Sequence, residues 1–430
     1  MTPQSAFMVA APIRAGQIGA LRDLLRGITW APGQAAPDNT LIPFGRFARL
    51  HFARLVVLED ATLADRAAAG APPFDAPVSL AFLGDCDGPA DAQLAEFAAV
   101  AAAGLRRIWR HCEGFEDSTD LLAWMRAHSV APATFYANWA GRTVRQIREE
   151  AALHQALRAR LLVQPAGMPA QASRADLLEY VAAEQRAGRL TLSPPEPTPP
   201  AWQLAQILHA IWVPLLLVAL LPVFVLGAVP FLLVLRARER TDPEIWPRPS
   251  ASHVQALATI EDYDVSNQFS AFGSLKPGAF RLWLLRFLLW VVQYTTRHVY
   301  VRGRLARVGT IHFARWVLLD GNRRLLFASN YDGSLDSYMD DFINKVAWGL
   351  NLVFSNGIGY PQTDFLVLNG AKNEQAFKYY IRRHQLPTEV WFKAYPGLTA
   401  LDLARNARLR TGLAPSMMDE DAARQWIALI

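Results

Sequence analysis

Two stretches of the chain repeat one another: GRFARLHFARLVVLED from Gly45 to Asp60, and GRLARVGTIHFARWVLLDG from Gly303 to Gly321. A shared HFAR behind a shared GRxAR constrains the fold more than any single motif, because an internal repeat sets the size and number of structural units. The correspondence extends outward. Upstream, Ile13-Arg14-Ala15-Gly16 answers Leu275-Lys276-Pro277-Gly278, with Phe7 and Phe269 equally far before the glycine. Downstream, FLGDCDG (Phe82 to Gly88) answers FASNYDG (Phe327 to Gly333), and Asp91 and Phe97 answer Asp336 and Phe342. Gly114-Phe115 then answers Gly359-Tyr360, His128 and His384 follow, and FYANWAGRT from Phe135 answers FKAYPGLT from Phe392 with a one-residue slip. Nearly the whole chain reads as two copies joined by an intervening segment.

Each copy predicts the same order of elements. A Phe- and Val-rich run (Phe7 to Ile13; Phe269 to Leu275) precedes a glycine and a helix. HFARLVVLED, VSLAFLG, HFARWVLLD and RLLFAS are β-branched and aromatic runs that fit strands. In the second copy Asp320-Gly321-Asn322 signals a hairpin, where the first has an Ala/Pro-rich loop from Ala61 to Pro77. An amphipathic helix starts at Pro89 or Ser334, acid-rich in its first turns as a helix N-terminus favours. A last strand and a C-terminal helix then close the unit. The order β-α-β-β-α-β is the split βαβ, or ferredoxin-like, motif.

One such unit covers only one face of its sheet with helices, so the other face needs a partner. The expected fold class is α+β: two tandem ferredoxin-like repeats stacked sheet on sheet into a pseudo-symmetric α+β barrel, around a cavity or a packed core. An apolar membrane-anchoring helical insertion separates them. The expected divisions are a first repeat at 1–165, a helical and Pro-rich linker at 166–200, the anchor at 201–240, a Pro-rich linker at 241–260, a second repeat at 261–412 and a tail at 413–430.

The anchor is the run from Trp202 to Leu235, which contains no formally charged residue and exceeds the roughly 18 to 20 apolar residues of a membrane span. Trp202 and Trp212 flank one side; Arg236, Arg238 and Arg240, then Trp246, flank the other, as in an interfacial belt. Pro222 divides the run, and the arm beyond it, about thirteen residues, is too short at about 1.5 Å per residue to cross about 30 Å of hydrocarbon. Two copies that pack on each other must share one side of the bilayer, so a bent, re-entrant hairpin is expected over a single span. Phe280 to Val292 (FRLWLLRFLLWVV) offers a second lipid contact, with Trp283 and Trp290 a heptad apart and Arg281 and Arg286 placed to snorkel. The alternative is a helix buried against its own sheet.

Arg297, Arg302, Arg304 and Arg307 extend this basic character, and with a net charge of +5 they favour an anionic membrane surface. Nucleic acid is not expected, because no nucleic-acid motif accompanies the charge. The start of the chain lacks a basic region followed by an apolar core. Cys86 and Cys112 form neither a CxxC pair nor a disulfide framework. The expected location is a bacterial inner membrane, with the repeats on the cytoplasmic side.

Candidate chemistry falls on the repeated residues. His51 and His312 start equivalent strands, with Arg54 and Arg315 three residues on and, by alternation, on the opposite face. A shared structural duty and a ligand or proton-transfer role both remain open for the histidines. Asp87 and Asp332, each before glycine at a strand-to-helix junction, are read as caps or stops. Asn330, Asp332, Asp336 and Asp340 make the second copy more polar, the acids in an i, i+4, i+8 series that could line one helix face, with Asp341 and Lys345 an i, i+4 ion pair beside it. Hard metals want such oxygens, but no second ligand-bearing segment appears and no metal is assigned. Asn356 and Tyr360, in the turn SNGIGYP, form a rim for a pocket. Any cavity is therefore placed mainly in the second copy, with His51, Asn330, Tyr331, Asn356 and Tyr360 as ligand contacts.

Tandem ferredoxin-like units forming an α+β barrel resemble the superfamily of dye-decolorizing peroxidases and chlorite dismutases. Gly84-Asp85-Cys86-Asp87-Gly88 matches the GxxDG pattern of the former. The resemblance implies haem as cofactor and Asp87 as the distal acid, with Asp332, His312 and Arg315 as further catalytic candidates. His312, His298 and His384 are the available axial ligands, though no axial-ligand motif singles one out. The strings IHFARWVLL and LLFASNYDGS also resemble a group of uncharacterised bacterial membrane-associated proteins with tandem ferredoxin-like repeats. Three functions follow: a membrane-anchored barrel that binds an apolar or lipid-derived small molecule, a haem-dependent peroxidase-like oxidoreductase, and a non-catalytic membrane assembly protein.

Overall fold

The computed structural model of the chain describes residues 2–300, 305, 308–414 and 418–430. Arg302, Arg304 and Arg307 of the basic stretch lie outside the described residues. Strands form where the Phe- and Val-rich runs lie. The first half contains β1 (Gln4–Pro12), α1 (Ile18–Arg26), β2 (Leu50–Leu58), β3 (Ser79–Asp87), α2 (Ala90–Val100), β4 (Thr134–Ala137) and α3 (Val144–Leu161). Two apolar helices follow, α4 (Pro200–Ala219) and α5 (Leu221–Arg240). The second half contains β5 (Ser266–Ser274), α6 (Ala279–His298), β6 (Ile311–Leu319), β7 (Arg324–Asp332), α7 (Leu335–Phe354), α8 (Glu374–His384), β8 (Thr388–Lys393) and α9 (Ala400–Thr411).

Local expectations hold at the turns and caps. Asp320, Gly321 and Asn322 join β6 to β7 with φ of 53°, 64° and 66°, the left-handed region that Gly, Asn and Asp visit at least cost. Pro89 and Ser334 stand at the N-caps of α2 and α7.

The partner of each last strand differs from expectation. Neither half closes its own four-stranded sheet: the first sheet runs β1-β3-β2-β8 and is extended by the short strands Gln34–Ala35 and Thr29–Ala31, while the second runs β4-β6-β7-β5. β8 lies antiparallel to β2 with Trp391 opposite Arg54, and β4 lies antiparallel to β6 with Phe135 opposite Arg315. Each segment starts beside its own first strand, where Val130 N–H donates to the Met8 carbonyl at 2.9 Å and Leu386 N–H to the Ser270 carbonyl at 2.8 Å. Pro132 and Pro387 come next, and neither has an N–H with which to continue that ladder. The strand leaves its own sheet and pairs with the open edge of the other.

The sheets face one another. Met8, Val56 and Leu83 from the first and Phe272, Val317 and Leu326 from the second form a packed layer between them. Helices cover the outer faces, with Phe7, Phe82 and Phe97 packed in one outer core and Phe327, Leu335 and Tyr338 in the other. Of the two expected interiors, a packed core occupies this layer.

The apolar run does not form a re-entrant hairpin. Leu220, between α4 and α5, keeps right-handed helical angles (φ −85°, ψ −4°), and Phe224 N–H still donates to the Leu220 carbonyl at 3.0 Å. Pro222 lacks an N–H and crowds the Val218 carbonyl, which bends the helix without reversing it. Along the pair, His209 meets His298, Phe224 meets Phe287 and Phe231 meets Phe280, so α4 and α5 run in one direction, antiparallel to α6. The helix also continues through the arginines to Arg240, giving α5 20 residues.

Both helices are long and apolar enough to cross a membrane, and only 6% of each apolar window is buried. The expected membrane residues are split. Trp212 and Trp283 are exposed, Pro222 marks the bend, and Trp290 is half-buried against Phe287. In α6, Leu285 and Leu289 are buried under the sheet while Trp283 and Phe287 face outward, and Arg281, expected to snorkel, is instead buried against Asp242.

The strand exchange predicts that the halves complement one another. Fragments 1–247 and 248–430, co-expressed, should copurify one to one, and each alone should aggregate because it presents an unpaired strand edge. Two independently folded, monodisperse fragments by size-exclusion chromatography would show that the exchange is not what holds the halves together.

Candidate functional site

β2 and β6 each carry a bulge at the histidine, between Leu50 and Phe52 and between Ile311 and Phe313. An extra residue at a bulge interrupts the alternation of side chains. The expectation that His and Arg point to opposite faces is therefore overturned, and both engage the opposite half. The His51 ring lies 5.2 Å from that of Phe313 and the His312 ring 5.4 Å from that of Phe52.

The two His–Asp pairs are built alike. Asp87 Oδ1 accepts from His51 Nε2 at 2.9 Å, and its Oδ2 accepts from the N–H of Val144, the first residue of α3, at 2.9 Å. Asp332 accepts from His312 Nε2 at 2.6 Å and from the N–H of Ala400, the first residue of α9, at 2.7 Å. Each aspartate thus caps a helix far along the chain, where a negative charge is favoured, rather than the helix that follows it directly. A carboxylate can only accept, so Nε2 of His51 carries a proton, and Nδ1 lies 3.1 Å from the Tyr395 hydroxyl. Burial pushes the Tyr395 phenol well above its ordinary range, and Asp85, Asp87 and Asp332 add to the effect. It is a neutral hydroxyl, not a phenolate.

Arg54 and Arg315 cross between the sheets. Arg54 donates to the Phe269 carbonyl at 2.7 Å, to the Ser329 carbonyl at 2.9 Å and to Asn330 Oδ1. Arg315 donates to the Phe7 carbonyl at 2.9 Å and to the Asp85 carboxylate, and Asn330 Nδ2 donates to Asp85 Oδ2 at 3.0 Å. Burial first, and then the nearby Arg315, lower the Arg54 pKa to about 9, with Asp85 opposing.

The structure brings His51, Asp87, His312, Asp332, Arg315 and Asn330 into this seam, together with Arg54, Asp85 and Tyr395. It does not bring the other predicted contacts there. Tyr331 stacks on Tyr338 at 4.0 Å within the outer core, and Tyr360 donates to Asn351 Oδ1 at 2.7 Å. Asn356 is buried at the turn after α7, donating to the Leu352 carbonyl at 3.1 Å. Asp340 pairs with Lys378 at 2.9 Å and Asp341 with Lys345 at 2.7 Å, which makes the acidic series a solvated, ion-paired face. Among the described residues, no group of three or more His, Cys, Asp or Glu is placed to hold a metal.

The residues that the haem resemblance implies are engaged in structural contacts. Asp87 borders a surface cleft of about 640 Å³ beside Arg49 and Trp202, but its oxygens are engaged by His51 and by the N–H of Val144. Of the available axial ligands, His384 has both ring nitrogens engaged, Nδ1 by the Tyr380 carbonyl at 2.8 Å and Nε2 by Thr62 Oγ1 at 3.3 Å, and borders a cavity of only about 20 Å³; His312 and His298 each have one ring nitrogen engaged, by Asp332 at 2.6 Å and by His209 at 2.8 Å. His384 is also packed so closely on Gly273 that an added Cβ there would lie 2.3 Å from its ring. The thiols of Cys86 and Cys112 are pushed up to about 12 by burial and are inert as nucleophiles.

An apolar cleft of about 280 Å³ opens between α6 and α7, lined by Val291, Val292, Phe342, Val346, Trp348 and Leu352 among others. α7 breaks its helical angles at Val346 (φ −140°, ψ 20°), on the wall of this cleft. Compared with known proteins, the chain matches no family model, no curated protein and no solved structure.

If the seam is a structural element, breaking it should cost stability directly. Asp85→Asn is expected to destabilise by about 3–5 kcal/mol, as for removal of one partner of a buried ion pair, read as a shift in the urea midpoint. The double variant Asp85→Asn/Arg315→Met should cost less than the sum of the singles. A midpoint unchanged in Asp85→Asn would remove the seam from the account of stability.

Proposed function

We propose that the protein is a membrane-associated binding protein for an apolar or lipid-derived small molecule. The supporting observation is the apolar cleft between α6 and α7, whose α6 wall adjoins the exposed apolar strip of α4 and α5. On that strip Leu208, Leu215, Val225 and Leu226 are more than half exposed, a contiguous apolar surface of the kind that marks a lipid or partner contact. On the cleft wall Trp348 is exposed and Val291, Val292 and Leu352 are partly exposed, so the cleft opens to the outside among apolar side chains.

In this reading the recurring order of elements reflects two ferredoxin-like repeats, closed into a pseudo-symmetric α+β barrel by the exchanged strands. The barrel interior is packed, and the ligand binds outside it, in the second repeat. Trp283 and Phe287 on α6 join α4 and α5 at the bilayer face, with the repeats on the cytoplasmic side of a bacterial inner membrane.

Two variants separate attachment from binding. Leu226→Asp, at a site 82% exposed, should weaken co-flotation with phosphatidylcholine vesicles by about tenfold or more, since an aspartate in the hydrocarbon region costs about 2.5–3.5 kcal/mol. Val291→Trp fills the cleft and should lower the amount of copurifying apolar ligand, measured by mass spectrometry, by about tenfold. Equal ligand recovery from Val291→Trp and the parent would overturn the cleft assignment. Recovery of no ligand from the parent would favour an assembly role.

A further inference from the structure

We propose that a second cavity, at the N-terminus of α6, binds a phosphate-class anion. This cavity, about 290 Å³, is lined by Arg66, Lys276, Arg281, Arg323 and Asn356, and none of its described lining residues is a carboxylate. The site does not depend on the membrane reading; only a lipid source of the phosphate would.

The donors are held ready. Asp242, two residues beyond α5, accepts from Lys276 Nζ and from Arg281 Nη2, each at 2.6 Å, so one carboxylate serves two cations. Arg281 is 3% exposed, and among the described residues nothing hydrogen-bonds its Nη1. Arg66, also buried, leaves Nε without a partner in the same way. Burial lowers the Lys276 pKa to about 8, with Asp242 opposing, which leaves the ammonium charged at neutral pH. Buried donors without partners carry a desolvation cost, and an anion in the cavity relieves it.

The backbone adds to this. Gly278 begins α6 with φ of 101°; no side chain caps the helix and no acid lies in its first turn. The first N–H groups of a 20-residue helix therefore face the cavity end without a side-chain acceptor, a disposition that favours anions. Asn356 Oδ1, likewise without a partner among the described residues, supplies the acceptor that a protonated phosphate oxygen needs.

In the equivalent place of the first half the cation is engaged. Arg14, which answers Lys276, donates to the Cys112 carbonyl at 3.0 Å and to Glu116 at 2.8 Å within its own half. The site in the second half also draws on the first, because the Ala/Pro-rich loop that replaces a tight hairpin delivers Arg66, whose Nη2 donates to the Pro72 carbonyl at 2.9 Å.

The test uses the full chain in detergent, titrated calorimetrically with inorganic phosphate. Arg281→Gln should weaken binding by about tenfold and Arg323→Gln by about threefold, the loss of a charged contact at a buried and at an exposed position. Arg110→Gln, an exposed arginine paired with Asp117 elsewhere, should change nothing. Arg323 is exposed, so its result stands even if Arg281→Gln does not fold. Phosphatidic acid in phosphatidylcholine vesicles should compete with phosphate if the natural source is a lipid headgroup, and should not if it is a free phosphate. Absence of saturable phosphate binding by the parent, or equal affinities in the parent, Arg281→Gln and Arg323→Gln, overturns the site. Because flotation on neutral vesicles reports the apolar strip alone, failure of the anion site and failure of the membrane reading give different results.

Discussion

Two buried guanidinium groups cross the layer between the sheets, and the relation of the two halves depends on them. A guanidinium taken out of water must find acceptors in a fixed fork. Arg54 finds the Phe269 and Ser329 carbonyls and Arg315 the Phe7 carbonyl and Asp85, all on the opposite half. A slip of one residue between the sheets would leave donors buried without partners, at a cost of about 1–3 kcal/mol each and more for charged groups. Apolar contacts such as Met8 with its neighbours in the inter-sheet layer are non-directional and could not specify this register. The exchanged strands then work in the same sense: β8 sets Trp391 5.0 Å from the Arg54 guanidinium, walling one side of the path that Arg54 must take.

The seam is symmetric in placement but not in charge. Asp85 and Asn330 occupy equivalent positions in GDCDG and SNYDG, so two arginines share one carboxylate. Asn330 bridges the difference, accepting from Arg54 and donating to Asp85, and this single amide joins both crossing arginines into one network. The His–Asp pairs lie at the end of the same strands, and there both oxygens of each aspartate are used. The result is a polar layer whose groups are committed to holding β2, β6, α3 and α9 together. Recurrence of HFAR and of Asp-Gly fits this duty, because each half both sends an arginine across and caps its own C-terminal helix.

Much of this was legible in the sequence, and the remainder was hidden for identifiable reasons. Strand and helix positions followed from apolar period and from turn residues such as Asp320-Gly321-Asn322, because these are local. Partner choice is not local: FYANWAGRT and FKAYPGLT read as strands whichever sheet they join. The usable signal was Pro132 and Pro387 just before them, at the point where each ladder has to stop. The histidine bulges were likewise invisible to a strict period of two. The cation-lined cavity was missed because its members come from Arg66 in a loop, Lys276 and Arg281 at a helix start, and Arg323 in a hairpin, with Asp242 from a linker. No spacing rule connects them.

The geometry of the apolar helices follows from the same intramolecular closure. With both halves locked through exchanged strands, the segment between β4 and β5 has to leave and rejoin one body. At its start, Trp202 lies beside Thr2 and Arg49 in the cleft next to Asp87; at its end, the buried Glu239 accepts from Thr363 Oγ1 at 2.9 Å and from the N–H of Leu366 at 2.8 Å. Between these ties α4 and α5 together extend about 60 Å at 1.5 Å per residue, roughly twice the hydrocarbon thickness. A helix so long, fixed at both ends and packed along α6, can present its apolar side to a bilayer laterally without threading the body through it. Pro222 then has a specific role: by bending the helix where α6 also turns its aromatic face outward at Phe287, it keeps Phe224 and Phe231 in contact with α6. The apolar strip remains continuous, and the polar end of α5 is delivered to Asp242, Lys276 and Arg281.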